Sequence, residues 1–176
     1  KKNYVDINSN PQLQPWYWRD YSPWLPHNYS LIYNNLFSHC RNEIKLIFEL
    51  GISRGSSLRV WRDYLPNAEI YGADIRKNNL FTDERIKTFY VDQLDKESII
   101  LMWNEINRYN FDIIVDDGLH TYDANINFFL NSFDKLKKHG IYIIEDVRDI
   151  YCEKLFNELK KFNPEIIFLK QSKNRF

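Results

Sequence analysis

The chain has 176 residues, with 24 Lys+Arg against 24 Asp+Glu, 44% hydrophobic and 16% aromatic residues, and two cysteines. That length makes one domain around a single core, and the balanced charge supplies no field to recruit nucleic acid or an anionic membrane. The longest apolar runs, 46–50 and 111–115, are far below the ~20 residues of a spanning helix. Lys1-Lys2-Asn3-Tyr4 leads into no apolar segment, and Cys40 and Cys152 fit no disulfide or metal framework, so the expectation is a reduced, cytoplasmic protein.

Along the chain the composition changes once, near residue 43. Pro11, Pro15, Pro23 and Pro26 punctuate a stretch dense in rings, among them Trp16, Trp18 and Trp24, and forbid a long helix there. Tyr29, Tyr33, Leu36 and Phe37 then recur at helical spacing. Residues 1–42 are therefore predicted to be an aromatic arm and helix, serving as a lid, an acceptor wall or a contact for a homo-oligomer, and 43–176 the core. Within the core, strands are predicted at 45–50, 69–75, 85–91, 111–115, 140–144 and 165–169. Helices are predicted at 56–64, 96–108, 122–138 and 154–162. Short apolar strands alternating with helices make a parallel sheet covered on both faces.

Ligands of such sheets sit at the carboxyl ends of the strands, near the point where strand order reverses. The first strand ends in Glu49-Leu50-Gly51-Ile52-Ser53-Arg54-Gly55-Ser56-Ser57, a G-x-x-x-G turn preceded by an acid. A pyrophosphate would want G-x-G-x-x-G and would be repelled by Glu49, whereas a cationic ligand suits it. Asp74 closes the second strand about 20 residues past the glycine turn, placed to accept both hydroxyls of a ribose. Asp92 and Gln93 follow the third strand and are positioned to read an adenine edge. In order, these segments fit S-adenosylmethionine better than NAD. A bare strand-to-helix turn at Gly51 and a helix cap at Asp74 are the structural readings of the same residues.

The densest chemistry follows the fourth and fifth strands: Asp116-Asp117-Gly118-Leu119-His120, and Glu145-Asp146. These strands should be neighbours, bringing four carboxylates to one sheet edge, a repulsive arrangement unless a cation or protons intervene. A divalent ion with oxygen ligands meets that need, and His120, three residues beyond Asp117, is placed to act as ligand or base. Helix caps, with His120 paired to one acid, are the other reading. Carboxylates alone favour Mg²⁺ or Mn²⁺, and a histidine ligand tilts the site towards Fe²⁺ or Mn²⁺.

At these residues the chain resembles the metal-dependent class I S-adenosylmethionine methyltransferases of the macrocin and mycinamicin sugar O-methyltransferase type. The matching segments are 48–57, 66–75, Asp92-Gln93, 113–120 and 142–147, with His27-Asn28-Tyr29, Tyr33 and Phe37 upstream. The resemblance implies a Rossmann-like α/β sandwich and an S-adenosylmethionine- and divalent-cation-dependent enzyme methylating a hydroxyl of a sugar-containing small molecule. It implies Asp117, Glu145 and Asp146 as metal ligands, His120 as general base with Asp117 beside it, and a metal-bound acceptor hydroxyl. Glu49, Gly51, Gly55, Ser57, Asp74, Asp92, Gln93 and Asp116 would form the cofactor site. Leu119 departs from the small residue usual before the histidine. The chain also stops where that fold continues into a seventh, antiparallel strand, so a truncated chain lacking that strand is expected. An NAD-type oxidoreductase and a non-catalytic nucleotide-binding module are the alternatives.

Overall fold

The structure, a computed structural model, describes residues 4–5 and 29–169. Two compact units divide the chain: Cys40–Tyr151, and Lys1–His39 with Cys152–Phe176. The predicted aromatic arm, with Trp16, Trp18 and Trp24, lies outside the described residues.

Strands β1 (Tyr4–Val5) and β8 (Phe168–Leu169) pair in parallel as a separate two-stranded sheet. The last predicted strand, at 165–169, is thus shorter than expected and belongs to a sheet of its own. In helix α1 (Ser30–Phe37) the Tyr29, Tyr33 and Phe37 rings, four residues apart, stand 6.0 and 6.1 Å from one another in succession. Helix α5 (Asp149–Leu159) buries Leu155 and Leu159.

The larger unit is built on a six-stranded sheet. In chain order its elements are β2 (Leu46–Leu50), α2 (Ser56–Tyr64), β3 (Glu69–Asp74), β4 (Thr82–Asp83), β5 (Ile86–Tyr90), α3 (Lys96–Ile106), β6 (Phe111–Asp116), α4 (Tyr122–Ser132) and β7 (Leu136–Ile144). The spatial order is β4-β5-β3-β2-β6-β7, all parallel except the two-residue β4. Strands β2, β3 and β6 read as near-continuous apolar runs because helices cover both their faces. Phe48, Trp103, Phe111 and Phe128 form the aromatic centre of the core, with Phe48 and Trp103 centroids 4.6 Å apart. The Trp103 indole N–H finds its acceptor in the buried Ser132 hydroxyl at 2.9 Å.

The chain leaves β2 towards β3 and β5, then returns to β2's other side for β6 and β7. Strand order therefore reverses between β2 and β6, and the crevice at their carboxyl ends is the ligand-binding position of such a sheet. This is the mostly parallel, doubly wound sheet expected from the sequence.

Two further boundaries differ from the prediction: α5 runs over Asp149–Leu159 rather than 154–162, and the passage from α4 to β7 is displaced. Helix α4 ends at Ser132 rather than 138, a 3₁₀ turn covers Phe133–Lys135, and β7 starts at Leu136. Between the pairs Phe111–Leu136 and Ile113–Ile141, β6 advances two residues while β7 advances five. The polar run Lys137-Lys138-His139-Gly140 is thus a bulge in a strand. It reads like the polar end of a helix because no alternating pattern marks it. Among the described residues, no helix is long and apolar enough to cross a membrane.

Candidate active site

Backbone hydrogen bonds past the ends of the strands assemble the site. Asp117 N donates to Leu50 O at 3.0 Å, and Glu145 N to Asp116 O at 2.9 Å. These two bonds carry Asp116-Asp117 and Glu145-Asp146 side by side to the switch point. Gly51, at φ +88°, makes the close approach possible, since a Cβ there would run into the Asp117 carbonyl. Thr121, directly after His120, caps α4 by accepting from Ala124 N at 3.4 Å, so the acid-rich loop passes at once into a helix.

Donor atoms of Asp117, His120 and Asp146 lie within 4.8 Å of one another. Metal–ligand distances of about 2.0–2.6 Å put donors on one ion up to about 4–5 Å apart, so these three groups fit a divalent cation. His120 Nε2 stands 3.9 Å from Asp117 Oδ1, and the two side chains are 31% and 36% exposed, open to a ligand. His120 Nδ1, by contrast, is buried and has no hydrogen-bond partner among the described residues. Both His120 and Asp146 adopt left-handed backbone conformations, at φ +55° and +49°. Such geometry costs free energy in non-glycine residues and concentrates where side chains must be aimed. Glu145, the third predicted metal ligand, is not within that 4.8 Å grouping. Burial and the neighbouring Asp146 charge push its carboxyl up to about 8.

Asp116 lies beneath the loop rather than on its surface. It is fully buried and accepts from Gln93 Nε2 at 2.8 and 3.0 Å, Asn125 Nδ2 at 2.9 Å and Gly118 N at 3.2 Å. Burial pushes its carboxyl up to about 6, against the pull of those donors. Gln93, predicted to read an adenine edge, turns its amide into this network, its Oε1 accepting from Leu119 N at 2.8 Å. The buried Tyr142 hydroxyl on β7 has no hydrogen-bond partner among the described residues. Burial and the Asp116 charge raise its pKa well above the usual phenol range.

The predicted cofactor residues lie along the β2–β3–β5 half of the same edge. Asp74 accepts from Ser53 N at 3.0 Å, Arg76 N at 2.8 Å and Asn79 Nδ2 at 3.1 Å. Its carboxylate thereby ties the glycine turn to the end of β3. Asp92 caps its own turn, Oδ1 accepting from Leu94 N at 2.9 Å. Glu49 is buried, accepts from Trp61 Nε1 at 2.7 Å and from the Ser57 hydroxyl, and is pushed by burial up to about 7. Gly55 caps α2 in a left-handed conformation at φ +74°. Ile75 and Leu94, each 56% exposed, flank Asp74 and Asp92 with apolar surface, and Leu119 is 50% exposed beside His120. Sequence reading missed Ile75, Leu94 and Asn125. The first two follow strand ends, where a position rule would have found them. Asn125 carries no local signal.

No protein-family model matches the chain. It is 32% identical over 127 residues to the mycinamicin VI 2''-O-methyltransferase of Micromonospora griseorubida, covering 68% of this chain and 31% of that protein. It is 29% identical over 135 residues to the 8-demethyl-8-alpha-L-rhamnosyl tetracenomycin-C 2'-O-methyltransferase of Streptomyces olivaceus, covering 73% of this chain and 35% of that protein. The crystal structure of the MycE methyltransferase from the mycinamycin biosynthetic pathway, in complex with Mg and SAH, superposes with a TM-score of 0.63 at 29% identity. That match covers 72% of this chain and 36% of the other. The chain is related to the macrocin- and mycinamicin-type sugar O-methyltransferases. It spans about a third of the length of the curated relatives it matches.

Proposed function

We propose that this chain carries the catalytic core of an S-adenosylmethionine- and divalent-cation-dependent O-methyltransferase acting on a sugar hydroxyl. The acceptor class is a glycoside, a nucleotide-linked sugar or a surface-glycan precursor. The relatives' action on glycosylated natural products favours the glycoside. The observation that carries the reading is the grouping of Asp117, His120 and Asp146 at the switch point, on the same sheet edge as Gly51 and Asp74.

Asp117 and Asp146 are the residues that would hold the cation, with Glu145 beside them as a further donor and His120 left as the base. Mg²⁺ in the MycE structure supports an ion that prefers oxygen. When bound, the cation supplies Lewis acidity that lowers the pKa of an alcohol, and the cofactor supplies an electrophilic methyl group. Asp74 would receive a ribose hydroxyl beside its three donors within the fold, and Ile75 and Leu94 would offer apolar faces for a base. Glu49, tied to Ser57 and Trp61, keeps an acidic group beneath the glycine turn.

We assign the proton to His120 Nε2. Nδ1 is the buried ring nitrogen, and a neutral imidazole protonated there leaves Nε2 free to accept. Nε2 would take the acceptor O–H proton as the methyl group passes from the cofactor's sulfonium to the acceptor oxygen. Asp117, 3.9 Å from Nε2, stabilises the imidazolium so formed.

The test is transfer of labelled methyl from S-adenosylmethionine to a panel of glycosides and sugar nucleotides, with calorimetric titration of S-adenosylhomocysteine and NAD. The reading requires transfer that excess chelator stops and Mg²⁺ or Mn²⁺ restores, with binding of S-adenosylhomocysteine. Transfer that survives chelation, or binding of NAD in preference, overturns it.

A further inference from the structure

The loop that carries Asp117 and His120 is held from below by uncharged donors. Asp116 sits at the centre of that support, fully buried, with Gln93 and Asn125 amides and the Gly118 N–H on its two oxygens. Gln93 reaches further, accepting from Leu119 N at 2.8 Å, while its own backbone carbonyl accepts from Asn127 Nδ2 at 2.8 Å. Two successive loop amides, Gly118 and Leu119, thus end on one network that joins β6, α4 and the turn after β5. The fit leaves no slack at Gly118, where a Cβ would run into Gln93 Oε1. The next residue after this pinned pair is His120, in its left-handed conformation.

The chemistry of the donors matters as much as their number. A lysine or arginine would hold Asp116 equally well but would cancel negative charge beside the acid cluster. Amides hold the carboxylate and leave the local field negative. We propose that Asn125 and Gln93 are positioning residues that act through Asp116 on residues 117–120, fixing the Asp117–His120–Asp146 grouping before a cation arrives. This rests on reading that grouping as a cation site. Groups that orient metal ligands typically change metal affinity by about 10–100-fold when removed.

The experiment uses the full chain and Mn²⁺ followed by electron paramagnetic resonance, with S-adenosylhomocysteine titrated in parallel. Asn125→Ala is expected to weaken Mn²⁺ binding about 10–100-fold while S-adenosylhomocysteine binds unchanged. Leu130→Ala, on the same helix but 57% exposed and outside the network, is expected to leave Mn²⁺ affinity as in the wild type. Hydrogen exchange in the cation-free wild type reads the same claim without any variant. The Gly118 and Leu119 amides should be protected, and exchange at the rate of an open loop overturns the proposal. Unchanged Mn²⁺ affinity in folded Asn125→Ala, or equal losses of Mn²⁺ and S-adenosylhomocysteine, also overturns it. A wild type that binds no Mn²⁺ contradicts the cation-site reading itself, and the protection of the two amides distinguishes that failure from failure of the clamp.

Discussion

The two ends of β6 treat their acids differently. At the amino end, Asp112 is buried and accepts the N–H groups of Lys45 and Leu46 at 2.8 and 2.9 Å, with the Lys137 ammonium on its other oxygen. Its charge is neutralised by the lysine and both its oxygens are engaged within the fold. At the carboxyl end, neutral amides hold Asp116, and Asp117 gathers in an open, negatively charged group with His120 and Asp146, both on left-handed backbone. Four residues separate a structural carboxylate from the floor of a binding site. What distinguishes them is whether the surrounding donors carry positive charge.

The largest way to break this contrast is at Asp146. Asp146→Asn keeps a residue that tolerates the left-handed conformation but removes a formal charge from the cluster. Loss of Lewis-acid assistance is worth several kcal/mol, so methyl transfer should fall on the order of a thousandfold with the fold intact by circular dichroism. His120→Ala comes next. Removing a general base typically costs about 10²–10⁴-fold in kcat, and S-adenosylhomocysteine affinity should not move.

At the other end of the strand, the same kind of change should show up in stability instead. Asp112→Ala strands two backbone N–H groups and should cost about 2–4 kcal/mol in urea denaturation, with cation binding preserved.

Smaller again is a pH effect. Glu49 and Asp116 have folded-state values of about 7 and about 6, above the ordinary 4.5 and 3.8. The folded state therefore binds more protons than the unfolded state between those limits. Their contribution is fully present below about pH 4 and is lost as pH rises through 6 to 7. Denaturation of the cation-free protein should show stability declining over that range and on towards pH 8, where Glu145 adds its own raised value, and Glu49→Gln should flatten the decline around pH 7. The smallest change is Leu119→Ser, which should shift acceptor KM by a few-fold with little effect on kcat, because Leu119 lies half exposed beside His120.

Much of this architecture is legible in the residues. The apolar runs ending in Gly51, Asp74, Asp116 and Glu145 mark the strands, and strand ends mark the site, because a parallel sheet places its ligands there. The adjacency of Asp117 and Asp146 follows from β6 and β7 being neighbours. What could not be read is set by contacts distant in sequence. The start of β7 at Leu136 depends on a bulge against β6 that no periodicity announces. Gln93 faces inward because Asp116 and Leu119 N meet it there, and Asn125 matters only because α4 lays it over Asp116. Likewise, nothing in the one-dimensional string separates Asp112 from Asp116. Lys137 and the start of β2 do so in space.

The central claim is that the carboxyl end of β6, and not its amino end, forms a divalent-cation site. Calorimetric titration of Mg²⁺ or Mn²⁺ into the wild type, Asp112→Asn and Asp146→Asn tests it most directly. One cation per chain is predicted in the wild type and in Asp112→Asn, and none of comparable affinity in Asp146→Asn. Binding that survives in Asp146→Asn, or disappears in a folded Asp112→Asn, contradicts the account.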